Sequence, residues 1–179
     1  SNETTGPIIE QSYRRLLQLL DAHLQVKPFL MGGRPGASDF GLFGQLSQLA
    51  LFDPTSADVA VNEAPRVIAW LHHVEDLGSL ELSEADWTPR GELGKTIRDL
   101  LSEVGRIYVP FLLANAAALE RGEKQMECQL DGQPWVQSSF PYQAKCLGWL
   151  REGRAALSPD ERAAVDEMLK GTGCEALFV

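Results

Sequence analysis

Helical spacing dominates the hydrophobic pattern of the chain. In EQSYRRLLQLLDAHLQV, Tyr13, Leu16, Leu17, Leu20 and Leu24 recur three or four residues apart and share one wide apolar face. Lys27 and Pro28 close that helix, because the residue before a proline is driven out of the α region. A glycine-rich loop follows. Phe40, Leu42, Phe43, Leu46, Leu49 and Leu51 then cover nearly every side of a short segment, and a helix apolar all round is expected at the centre of a fold. FDPTSAD, residues 52–58, reads as a turn. The next helix is predicted to start at Pro65, with Val67, Ile68, Leu71, Val74 and, at its end, Leu77 on the packed face.

Residues 78–92 read as a polar connection carrying Trp87 and Pro89. A long helical pattern runs from Glu92 to Arg121, and Pro110 inside it predicts a kink or break between Gly105 and Val109. Two short β-prone runs flank Asp131 and Gly132, which predicts a hairpin over residues 126–137. A lone hairpin is marginal in water, so it should lie on the helices, through Trp135. YQAKCLGWLREGRAAL returns to helical spacing with Leu147, Leu150 and Leu157. SPDE, residues 158–161, is a helix start: Ser158 can cap, Pro159 fits the first turn and Glu161 can reach back. That last helix should end at Gly171, leaving TGCEALFV as an apolar tail. Six or seven helices and one hairpin, with no βαβ alternation and no repeat, make the class all-α. Residues 1–7 read as a disordered linker or tag and 8–179 as a single helical domain, with 8–88 as its core and 89–179 as an extension.

Composition narrows the partners. The chain has 25 acidic against 16 basic side chains, a net charge of −9, and no basic run longer than Arg14-Arg15. That balance argues against nucleic acid and against anionic membrane surfaces. Three widely spaced cysteines, with no CxxC pair and no Cys/His cluster, support neither a disulfide framework nor a zinc site. Reduced thiols in a cytoplasmic protein are the simplest expectation.

The stretch MGGRPGASDFGLFGQL, residues 31–46, raises the first chemical question. A phosphate-cradling loop needs a preceding strand and a βαβ setting, and a helix precedes this one. The loop reads instead as a device that starts the apolar helix. Asp39, three residues after Gly36, is placed to accept from the backbone near Gly36 and to complement the helix dipole, while Leu30 or Met31 can face Phe40 or Phe43 across the entry. His72 and His73 are neighbours and point to different helix faces. His72 with Asp76 lacks further ligands, so no metal is expected. His23 reads as a solvated histidine on the polar border of the first helix. Cys146 and Cys174 are expected as buried, inert thiols. A sharper reading puts Cys174, with its neighbouring glycines, at the mouth of an apolar pocket. Tyr108, Phe111, Asn115 and Tyr142 are the other candidates for that pocket, a set of aromatics with one amide.

The long amphipathic helix, the KPFLMGGRPGASDF loop, the apolar helix and APRVIAWLHHVED together resemble the C-terminal domain of glutathione S-transferases over residues 8–78. In that family the buried helix starts with a Ser or Thr cap and an aspartate three residues on; the matching positions are Gly36, which lacks the hydroxyl, and Asp39. The resemblance implies an intact protein that conjugates or reduces a small hydrophobic electrophile with glutathione as cosubstrate, forms a homodimer, and keeps its thiol-activating residue on a thioredoxin-like N-terminal domain. Neither that domain nor the family's first helix is expected in this chain, so the chain alone should lack the chemistry, with no catalytic residue of its own. A non-catalytic helical module that recruits protein partners is the alternative.

Overall fold

The computed structural model describes residues 2–179, which fall into two compact units: residues up to Ser12 together with Leu101–Val179, and Tyr13–Leu100. The division lies at residues 100 and 101, whereas the boundary between core and extension was expected after residue 88.

The first helix, α1, spans Thr5–Leu24. It begins inside the stretch expected to be a linker. The side-chain oxygen of Asn2 accepts from the N–H groups of Thr4 and Thr5, at 3.0 and 2.8 Å, and so satisfies donors that a helix start leaves open. Thr5 and Ile8 are already buried.

Within Tyr13–Leu100, α1 is followed by α2 (Ala37–Ser47), a π-helical turn (Gln48–Phe52), α3 (Pro54–Glu63) and α4 (Pro65–Glu75). Leu17, Leu20, Leu46, Ala60, Val67 and Leu71 are among the fully buried apolar residues of this unit. The supposed turn at 52–58 is instead the start of α3. Asp53 accepts from the N–H groups of Thr55 and Ser56 and Pro54 opens the first turn, so residues that favour turns act here as a helix cap. Helix α4 starts at Pro65 as predicted and is capped from a distance: Asp21 of α1 accepts from the Arg66 N–H at 2.9 Å and pairs with its guanidinium at 2.8 Å. Leu77 lies beyond the end of α4.

Helix α2 departs from the expectation of full burial. Its buried residues are Asp39 and Leu46, while Phe40, Leu49 and Phe52 along the helix and its π turn are 51%, 42% and 76% exposed. Gly41 and Gly44 have open space where a side chain would stand. An apolar pattern on all sides fixes what a helix can bury, not how many neighbours reach it.

In the other unit, the last turn of α5 (Gly94–Glu103) passes into a π-helical turn (Val104–Tyr108) and then α6 (Val109–Glu120). The predicted break is therefore a π turn ahead of a restarted helix, with Pro110 in the first turn of α6, where its missing N–H costs least. Strands β1 (Gln125–Leu130) and β2 (Gln133–Ser138) pair antiparallel, with Met126 opposite Gln137 and Cys128 opposite Trp135. Asp131 and Gly132 both take positive φ, 52° and 72°, as a two-residue primed turn requires. Arg106 of the π turn pairs with the Asp131 carboxylate. The hairpin is seated mainly through the buried Met126 and Leu130, and Trp135 meets Phe111 edge-on at 6.3 Å. Helix α7 (Pro141–Ala156), α8 (Pro159–Leu169) and a short 3-10 turn (Cys174–Phe178) complete the chain. Ser158 and Glu161 form the reciprocal box expected at the start of α8.

Candidate functional site

The glycine-rich loop shows how its chemistry is used. Asp39 is fully buried, and its two carboxylate oxygens accept from the N–H groups of Leu30 and Gly36, each at 2.9 Å. One carboxylate thus fixes both the chain entering the loop and the chain leaving it. Residues 83–88 strap the loop from outside: the Gly33 N–H donates to the Asp86 carbonyl at 2.7 Å, and the Thr88 N–H donates to the Met31 carbonyl at 2.8 Å. Gly32, at φ 136°, is required by this approach, because a Cβ there would stand 2.3 Å from the Asp86 oxygen. Arg34 lies 4.7 Å over the Trp87 ring and donates to the Ser83 carbonyl at 3.2 Å and to Glu84 at 2.8 Å. The loop's cation and the N–H groups of Gly33 and Gly36 are therefore engaged by the protein itself.

The five residues expected to line one pocket are not equivalent. Asn115 is fully buried and committed to backbone: its amide donates to the Phe140 carbonyl at 3.0 Å and accepts from the Phe140 N–H at 2.7 Å, pinning α6 to the start of α7. Cys174 is also interior, packed with Val109, Leu112, Leu147, Leu169 and Leu177. Its Sγ donates to the Leu101 carbonyl at 3.2 Å. Burial pushes the thiol's pKa up and the Glu175 charge adds to this, while the Thr172 hydroxyl and the Gly105 N–H oppose it. Cys174 is thus an interior thiol and Asn115 an amide committed to backbone, as the need of buried polar groups for partners requires.

Tyr108, Phe111 and Tyr142 do reach the surface, in two strings of rings. Tyr108 stacks on Phe111 with centroids 6.4 Å apart, and Phe111 continues to Trp135. Tyr142 lies edge-on to Trp149 at 6.0 Å and tilts against Phe140 at 6.3 Å. The Tyr108 hydroxyl has its pKa raised by burial and then by Cys146. Tyr108, Tyr142 and Trp149 are 38%, 56% and 49% exposed.

His23 is a further correction. It is fully buried, with Nδ1 2.8 Å from the Thr96 hydroxyl and Nε2 3.0 Å from the Phe29 carbonyl. Both partners lie outside α1, so nothing in the local pattern of the helix announced them. His72 is exposed 3.7 Å from Glu75, and His73 stacks on Phe29 at 5.5 Å. Among the described residues no cluster of three or more His, Cys, Asp or Glu is placed to hold a metal ion, and no helix is long and apolar enough to cross a membrane.

Residues 7–73 match the family described as glutathione S-transferase, C-terminal domain. No curated protein and no solved structure matches the chain. The matched stretch runs from the first turns of α1 to the last turn of α4 and is centred on the loop that Asp39 holds closed. Over residues 7–73, then, the chain is similar to the C-terminal domain of glutathione S-transferases.

Proposed function

We propose that this helical chain forms the electrophile side of a glutathione-dependent protein. A thioredoxin-like domain holds glutathione and activates its thiol, and the helices supply an apolar wall that binds and orients a small hydrophobic electrophile. The family match over residues 7–73 carries this reading. It is supported by Phe40, Leu49 and Phe52, which stand out from a stretch, residues 40–52, that holds no charged residue in a chain of net charge −9. An apolar wall lowers the barrier by positioning the electrophile, while activation of a thiol needs a group in contact with the sulfur. Two side chains of matching chemistry are committed elsewhere: the Tyr13 hydroxyl donates to the Ser56 carbonyl, and the Cys174 thiol is buried. Homodimeric assembly and a cytoplasmic setting belong to the same reading.

Conjugation of 1-chloro-2,4-dinitrobenzene to glutathione tests it. The 179-residue chain should run at the uncatalysed rate, and the intact protein with its thioredoxin-like domain should run above it. Phe52→Asp in the intact protein should raise KM for the electrophile and leave that for glutathione unchanged. Conjugation by the chain alone, or an intact protein indifferent to glutathione, would overturn the proposal.

A further inference from the structure

Outside the matched stretch, α7 presents a surface of exposed aromatic rings. Phe140, Tyr142 and Trp149 are each about half exposed, and they brace one another through the ring contacts at 6.0 and 6.3 Å. Rings already held in place lose little freedom when a partner covers them, which is why Tyr and Trp are enriched at interface hot spots. The Lys145 ammonium stands 5.3 Å over Trp149. Beside this stripe, one position round the same helix, an open groove of about 430 Å³ runs between α6 and α7. Ala116, Leu119, Ala144, Leu147 and Gly148 line it, with Arg151 at its edge. Gly148 has nothing within 4 Å of where a Cβ would sit, so another backbone can come close there.

Charge selects the occupant. Residues 140–151, FPYQAKCLGWLR, hold two cations and no acid in a chain that is otherwise strongly acidic. The groove's one carboxylate, Glu120, comes from the α6 side. A second copy of the chain or an anionic bilayer would bring its own negative charge against a chain of net charge −9, whereas a short acidic segment meets Lys145 and Arg151 locally. We propose that the α6–α7 groove and its ring stripe dock an acidic amphipathic helix of a partner protein, with apolar side chains in the groove and carboxylates towards Lys145 and Arg151. The site is independent of the glutathione reading.

The probe is a fluorescently labelled amphipathic peptide with leucines on one face and glutamates on the other, compared with a twin carrying lysines for the glutamates. Anisotropy titration of the full chain should show saturable binding of the acidic peptide only. Trp149→Ala should weaken it, and Lys145→Glu should weaken it by about fivefold while improving binding of the lysine twin, as expected for a reversed rim charge. Circular dichroism confirms that these exposed substitutions leave the fold intact. Equal affinity for both twins, no binding, indifference to Lys145→Glu, preference for phosphatidylglycerol vesicles, or a dimer of the chain dispersed by Trp149→Ala would each overturn the proposal.

Discussion

Replacing the fully buried Asp39 with alanine removes two hydrogen-bond acceptors. The Leu30 and Gly36 N–H groups, each 2.9 Å from a carboxylate oxygen, are left without that partner. An orphaned buried donor costs about 1–3 kcal/mol, with the Leu30 N–H, which is buried, towards the upper part of that range and the Gly36 N–H, part-buried and partly reachable by water, towards the lower. The sum is on the order of 3 kcal/mol. For a chain of this size that corresponds to roughly 6–12 °C in melting temperature. Urea unfolding followed by far-UV circular dichroism reads the loss directly, with an unchanged denaturant slope showing that the end states are the same. Asp39→Asn keeps one acceptor oxygen and is expected to lose about half as much. An alanine variant within ~0.5 kcal/mol of the parent would mean that both N–H groups find other partners, and the account of the loop as a buried clasp would be wrong.

Gly105→Ala should destabilise its unit by about 3 kcal/mol or more, because the added Cβ would stand 2.0 Å from the Thr172 carbonyl oxygen and 2.9 Å from the Gly173 Cα, and neither is a flexible side-chain end; a denaturation midpoint like the parent's would refute the close contact. The same variant should speed alkylation of Cys174 by iodoacetamide, which in the parent reacts last of the three thiols; mass spectrometry of the labelled peptides gives the order. Since burial raises the Cys174 pKa, the unfolded chain ionises this thiol first, so stability should fall as pH rises above the ordinary thiol range, and less so in Cys174→Ala. His23→Ala strands the Thr96 hydroxyl and the Phe29 carbonyl and opens a cavity, for a loss of about 2–4 kcal/mol by urea titration. Asp53 has its pKa held down, first by the Ser56 N–H, so its cap is present at neutral pH and is lost as pH falls below the ordinary carboxylate range; Asp53→Asn should flatten that part of the melting profile.

Signals confined to a few neighbouring residues could be read from the chain. Ser158 to Glu161 predicts the start of α8, Asp131-Gly132 the hairpin turn, Pro110 the break before α6, and Gly36 to Asp39 the helix start in the loop, because in each case the interacting groups lie within four residues. What escaped depends on distant partners. His23 meets Thr96 across 73 positions, Asp21 caps α4 across 45, and residues 83–88 close over the glycine loop from some fifty positions away. The supposed turn at 52–58 shows a different difficulty: Asp, Pro, Thr and Ser serve turns and helix starts alike, and the buried Ala60 further along shows that a helix follows. Candidate pocket residues were the hardest to place. A buried amide and a buried thiol look the same in a sequence whether they face a ligand or a backbone carbonyl, and Asn115 and Cys174 both face carbonyls.

The seat of Cys174 against the π turn sets how far the chain can be trimmed. Its thiol donates to the Leu101 carbonyl at 3.2 Å, so the helix just ahead of the π turn is tied to a residue 73 positions further along the sequence. Val179 itself is fully exposed. A cut before Cys174 would also remove the Leu177 carbonyl that accepts from Arg151 and the Phe178 ring beneath Arg154. The last six residues behave as a plug, and a shortened protein would have to close that hole by collapsing the π turn or by aggregating through it.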